Sequence, residues 1–167
     1  MRAAILEDVP APDEFDKANA ELRELIGDVT LTMADIEDSL DELILDLLSR
    51  PPLFSFFKRR VLGRWMVSAK IELLIAYGEE FAEVVTDADT ALGLLRDIKG
   101  MAVERNRLIH DLHDVDIDDG QVTRRRIWEE DYKAVDLGAY RELAERLTIL
   151  ADPGMEAIAD GLMIRMS

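Results

Sequence analysis

Apolar residues in this chain recur at helical spacing, and that periodicity restricts its fold more than any other feature. Ile36, Leu40, Leu43 and Leu47 fall at i, i+4, i+7 and i+11, and Met33, Ile44 and Leu48 widen the stripe. Thr32 or Asp35 can open this helix. The Pro51-Pro52 pair ends it, because proline lacks a backbone N–H and its ring clashes with the preceding turn. Glu14 to Ile26 reads as an earlier helix, with Phe15, Leu22, Leu25 and Ile26 as its apolar residues and Gly27 ending or bending it. Strand-like alternation is absent from these segments.

Leu53 to Phe57 reads as a short aromatic link, and a third helix is expected from about Val61 to Tyr77, stopped by Gly78. One of its stripes holds Leu62, Met66, Ala69, Leu73 and Tyr77; the other holds Val67, Ile71, Leu74 and Ile75. A helix apolar on two sides sits centrally, or packs against another protomer as well as its own core, and Trp65, Met66 and Trp128 read as core or dimer residues. A fourth helix follows Asp87 and Asp89 and continues to about His113 along Leu94, Ile98, Met101, Arg105, Leu108 or Ile109, and Leu112. The acidic segment Asp114 to Gly120 ends in an Asp119-Gly120 step flanked by Val115, Ile117 and Val122, which predicts a small β-hairpin. The last long helix spans about Asp136 to Leu150, with Leu137, Tyr140, Leu143, Leu147 and Leu150 on one face; Pro153-Gly154 breaks it before a short terminal helix. The expected fold is all-α: a bundle of about five main helices with a small β-hairpin inserted before the C-terminal helix. One domain over residues 14–167, behind a flexible leader at residues 1–13, accommodates it.

With 49% hydrophobic residues, 167 residues can bury a core without disulfides or a structural metal. The chain has no cysteine, which excludes a disulfide framework, a thiolate zinc site, an iron–sulfur cluster and a cysteine nucleophile. No apolar run approaches the roughly 20 residues that cross a bilayer. The start, MRAAILEDVPAPDE, is too acidic and its apolar stretch too short for a signal peptide, so no membrane association and a cytoplasmic location are expected. A net charge of −16 argues against coating nucleic acid through a broad basic surface. The charge is uneven, however. Glu7 to Asp46 holds 14 acids against Lys17 and Arg23, whereas Arg50 to Lys70 holds six bases and no acid. Such a run is a solvated face or a local patch that steers a phosphate.

Arg105 stands where the stripe of the fourth helix calls for an apolar side chain. A guanidinium there implies a partner, a cleft or an interface, since burying it alone is costly. Asn106, His110 and His113 follow at i, i+4 and i+7 spacing, which on a continuous helix places the chain's two histidines on one face. Histidine is the side chain best suited to moving protons near neutral pH. Arg105 and His110 are about 140° apart around the axis, so within one chain they flank a groove without converging on one atom. A two-fold dimer at this helix would bring two Arg105-Asn106-His110 sets together, one histidine acting as base and the other as acid. The alternative is a polar network that holds two helices or two protomers in register. His110, Asp111, His113 and Asp114 have the types for a metal site, but read more simply as a surface cluster, with His113 a surface histidine; no metal or cofactor is expected. No glycine-rich phosphate loop, Ser–His–Asp arrangement or acid pair on a sugar-binding frame is present.

The segment Glu104-Arg105-Asn106-Arg107-Leu108-Ile109-His110 resembles the signature of the HEPN superfamily: an Arg, a polar residue that is often Asn, and a His four to six positions beyond the Arg. The order IEDSLDELILDLL, SAKIELLIAYG, ERNRLIH and then an acidic turn leading to VTRRR is similar to small bacterial HEPN-like proteins, over roughly Ile26 to Leu150. The resemblance implies a helical domain and metal-independent RNA cleavage at a homodimer interface, leaving a 2′,3′-cyclic phosphate. It implies a bacterial defence or toxin–antitoxin setting, with RNA as substrate and a protein partner or antitoxin. By position, Arg105 would stabilise the phosphorane, His110 would transfer protons and Asn106 would orient the histidine or the phosphate. Arg107, Arg124 and Arg125 would bind substrate and, with Arg126, offset the acids of the turn. Leu112 stands where some toxin members carry a tyrosine modified by a nucleotidyltransferase antitoxin, so that regulation is not expected. Other members do not cleave, and bind protein, nucleotide or RNA instead.

Overall fold

A computed structural model describes residues 12–48, 54–116, 120–126 and 131–165. Residues 1–11 of the expected leader, Pro51-Pro52, Ile117, Asp118, Asp119 and Trp128 lie outside the described residues. Helix α1 runs unbroken from Pro12 to Leu48, about 55 Å at the rise of an α-helix. A first helix ended or bent at Gly27 and a second opened by Thr32 or Asp35 were expected, and the structure joins them. Leu22, Leu25, Val29, Met33, Ile36, Leu40 and Ile44 are all buried, so one apolar seam at three- and four-residue steps crosses the glycine. Gly27 costs a helix about 1 kcal/mol against alanine. Each buried leucine or valine beside it returns about 1.5–3 kcal/mol.

The aromatic link expected at Leu53 to Phe57 is helical from Phe54 onward, as part of helix α2 (Phe54–Arg60). The expected third helix is divided: a 3-10 turn covers Leu62–Arg64, and α3 begins only at Val67. Trp65 and Met66 are extended (ψ 142 and 151), which interrupts the helical path. Of the two stripes, the one through Ile71 and Leu74 faces the core, and Met66 is 72% exposed. Helix α3 also runs past Gly78 to Glu80. That glycine is buried, and a Cβ on it would lie 3.0 Å from side-chain carbons of Leu92 and Leu162, so it is there to let helices approach closely rather than to stop one.

Asp87 caps helix α4 (Ala88–His110) by accepting from the Thr90 N–H at 3.2 Å. The helix stops at His110 rather than His113, because Asp111 turns extended (ψ 145) and leads directly into a strand. Strands β1 (Leu112–Val115), β2 (Val122–Arg125) and β3 (Lys133–Ala134) form an antiparallel sheet in that order. The expected hairpin is β1–β2; at its turn Gly120 has φ 67 and donates to the Asp116 carbonyl at 2.9 Å. Strand β3 was not expected. Helix α5 (Leu137–Ile149), capped by Asp136, buries Tyr140, Leu143 and Leu147 as expected. A π-helical turn at Leu150–Gly154 takes up Pro153 without ending the helical path, and α6 (Met155–Leu162) continues from it.

The result is a helical bundle with a small sheet between α4 and α5, the expected class. Helix α4 packs on α3 and α6, and α1 packs on α5. Lys70 of α3, 2% exposed, lies 2.9 Å from Glu37 and 2.7 Å from Asp41 of α1. No helix among the described residues is long and apolar enough to cross a membrane.

Candidate functional site

The last two turns of α4 carry the Arg-Asn-His segment, and the structure separates its members. Arg105 is half-buried on the face that also holds buried Met101 and Leu108. Its Nη1 donates to Asn106 Oδ1 at 3.1 Å, while its Nε is buried with no hydrogen-bond partner among the described residues. His110 is the final residue of the helix and is exposed. With Arg107 it lies in the last turn, where cations suit the negative end of the helix dipole. Arg105 and His110 therefore sit on different sides of α4, as their spacing requires. His113 is not on the helix at all. It lies on β1 and is half-buried, which corrects both its expected place beside His110 and its reading as a surface residue.

A second grouping is better assembled. Arg107 at the end of α4, Asp111 just beyond it, Arg124 and Arg125 on β2, Arg126, and Lys133 on β3 line a cleft of about 220 Å³. The three arginines expected to bind substrate thus come together. Arg124 reaches Asp111 at 3.4 Å, and the Arg125 guanidinium lies over the Tyr132 ring, 5.0 Å from its centre. Sheet register places Arg124 opposite His113 on one side and Lys133 on the other. Asp111, read from the sequence as part of a surface cluster with the two histidines, is the carboxylate that holds Arg124.

His113 and Tyr140 connect this cleft to the core. His113 Nε2 lies 3.1 Å from the Tyr140 hydroxyl, and the rings meet edge to face. Burial lowers the His113 pKa, nearby Arg124 adds to the lowering, and Asp111 opposes it. Burial likewise raises the Tyr140 pKa. Both groups are thus neutral near pH 7, and the uncharged imidazole adds no further cation beside Arg124. On its other side His113 borders a second cleft of about 240 Å³ with Phe15, Asn19, Leu22, Asp114 and Val115.

Sequence reasoning did not single out Lys133 or Tyr140 as site residues, and mentioned Arg126 only as an offset to the acids. The Arg-Arg-Arg run was a signal for Arg126, whereas nothing local marks Lys133, which reaches the cleft through a strand of two residues. Among the described residues no three His, Asp or Glu side chains are grouped to hold a metal ion, so His110, Asp111, His113 and Asp114 do not assemble as one. Compared with protein-family models, curated proteins and solved structures, the chain matches none.

Proposed function

We propose that this chain is a HEPN-like, metal-independent ribonuclease, a cytoplasmic bacterial defence or toxin–antitoxin effector that acts as a homodimer. The observation that carries the reading is an exposed histidine at the end of α4 beside a cleft lined with arginines. His110 and Arg107, three residues apart, are neighbours on the helix surface, and Arg107 lines that cleft. Phosphates of an RNA strand held by Arg107, Arg124 and Arg125 would pass close to the imidazole.

In this mechanism one His110 takes the proton of a 2′-hydroxyl as its oxygen attacks phosphorus. The bond from phosphorus to the 5′-oxygen breaks, and the His110 of a second protomer, protonated, gives its proton to that oxygen. The products are a 2′,3′-cyclic phosphate and a free 5′-hydroxyl. Arg105 from either protomer stabilises the extra charge on the phosphorane, and Asn106, already bonded to Arg105, fixes its guanidinium. The test is RNA cleavage by wild type, Arg105→Ala and His110→Ala with chelator present and the dimer state of each sample measured. Cleavage that survives chelator and disappears in both variants is expected. A folded wild-type dimer that leaves varied RNAs intact would overturn it.

One observation favours a second reading. Arg105 bonds its own neighbour and lies on the core face of α4, away from the cleft, as it would in a network that serves packing alone. The chain would then be a non-catalytic interaction domain for protein, nucleotide or RNA. In that case Arg105→Ala lowers stability and leaves ligand binding at the cleft intact.

A further inference from the structure

Trp65 and Met66 were expected in the core or at a dimer contact, and the structure leaves them out of the core. Met66 is largely exposed, Trp65 is exposed next to it, and Phe56 on α2 is exposed as well. The reason is how α2 sits. Its Phe57 packs against the core and its Lys58 reaches Asp38 and Glu42, so one face is committed to α1. Phe56 and Arg60, four residues apart, share the outward face. Leu62, fully buried, anchors the turn that leads through exposed Arg64, Trp65 and Met66. Large exposed apolar side chains bordered by charge mark a contact surface. The charge here is basic. No acid occurs between Asp46 and Glu72, and Arg60 and Arg64 form no ion pair with a described residue.

A matching surface lies on the same molecule. Glu24, Asp28, Leu31, Asp35, Asp38 and Glu42 recur at three- and four-residue steps and are all exposed, so they form one stripe along α1. Leu31 stands near its middle, 68% exposed among acids. Lys58 covers only one end of the stripe, at Asp38 and Glu42. Glu24, Asp28 and Asp35 form no ion pair with a described residue. Along the axis Asp28 lies about 15 Å before Asp38, one helical turn after another beyond the reach of Lys58.

We propose that the outward face of α2 and the Arg64–Met66 link bind the acidic stripe of a second copy of this chain. Leu31 meets Trp65 and Met66, and Arg60 and Arg64 meet Asp28 and Asp35. With the two α1 helices antiparallel, each copy offers its basic surface to the other's stripe, so the contact forms twice and closes. The net charge of −16 favours this docking over others. Copies repel wherever acid meets acid, screening confines each charge to about 8 Å at physiological salt, and this segment is the longest in the chain without an acid. Tryptophan and arginine are also the residue types that most often dominate binding energy at such contacts. The contact is separate from the two-fold axis near the end of α4 and does not rest on the ribonuclease reading.

Two charge-reversed variants of the full chain test it: Arg60→Glu with Arg64→Glu, and Asp28→Lys with Asp35→Lys. All four positions are exposed, so helical circular dichroism should match wild type. In sedimentation equilibrium the wild type should show an association step that each variant alone weakens by about tenfold or more. Mixing the two variants should restore that step, because each reversed surface then faces its opposite. The chain has no cysteine, so Met66→Cys and Leu31→Cys, made in separate copies, can be joined selectively by a short bismaleimide. The mixture of those two should cross-link efficiently, and Met66→Cys alone should not. A wild type without the association step, variants that associate as wild type does, a mixture that stays apart, or no link between positions 66 and 31 would overturn the proposal. A chain that cleaves no RNA yet responds to charge reversal in this way would sink the ribonuclease reading alone.

Discussion

At Gly161 an added methyl would land 2.7 Å from the Asp87 carbonyl oxygen and 2.9 Å from the Ala91 methyl, both on or beside the start of α4. Neither neighbour can swing aside. At Gly27 the same methyl would meet nothing within 4 Å. One substitution should therefore have opposite signs at two helical positions. Gly161→Ala should lower the free energy of unfolding by about 1–3 kcal/mol through overpacking. Gly27→Ala should raise it by about 0.5–1 kcal/mol, the ordinary helix preference for alanine. Urea unfolding of both variants checks this, and a stabilised Gly161→Ala would show that α4 and α6 are not packed as described. His113 supplies a second residue-scale test. Burial disfavours its imidazolium in the folded chain, so the unfolded chain binds the proton more readily. The stability that follows is present above the unfolded histidine pKa of about 6.5 and is lost as pH falls from there through the lowered folded value. Between pH 7 and 5 the wild type should lose stability more steeply than His113→Gln, and parallel curves for the two would show that the imidazole is not desolvated.

Among the elements, the contact between α1 and α3 depends on charge as well as on apolar packing. Lys70 is buried against Asp41, itself buried, and reaches the more exposed Glu37 one turn earlier. Lys58 of α2 meets Asp38 and Glu42 on the same long helix. The contrast between an acidic first segment and a basic one after it, plain in the sequence, thus resolves in part as pairing within the chain. Breaking the buried pair leaves Asp41 charged and without its ion-pair partner, so Lys70→Met should cost about 3–5 kcal/mol, and adding Asp41→Leu should recover most of it. Chemical denaturation of the single and double variants measures both, and a neutral Lys70→Met would mean that water reaches Asp41. Long apolar periodicity made α1, α4 and α5 legible in the sequence, because burial on one face leaves a repeating trace. Their ends were less legible. Gly27 and Gly78 look like stops in a linear reading, yet a continuous seam overrides the first and close helix packing explains the second. Met66 matched a helical stripe, but the extended backbone at residues 65 and 66 starts the helix after it. Strand β3 has no readable pattern, since two residues cannot show an alternation.

For the whole molecule, the residues of the candidate site were legible while their grouping was not. The Arg-Asn-His segment is visible because an arginine interrupts an apolar stripe, and Arg124, Arg125 and Arg126 because they are consecutive. That Arg107 would share a cleft with Lys133 depends on how the sheet folds back against the end of α4, which no local spacing encodes. The same geometry sets the requirement that the proposed chemistry must meet. Arg105 faces the core side of α4 and His110 faces solvent, about 140° away around the helix, so one chain cannot direct both at a single phosphorus atom. Two copies related by a two-fold axis near the end of α4 can do so, because each contributes the group the other misplaces. Activity should then follow the dimer and not the chain. At concentrations where sedimentation shows mostly monomer, doubling the protein should raise the initial rate of RNA cleavage about fourfold, and where dimer predominates about twofold, as mass action requires. Cross-linking that traps the dimer should restore full specific activity on dilution. A rate that stays proportional to total protein through the monomer range would place the reaction within one chain, where this arrangement of Arg105 and His110 cannot support it.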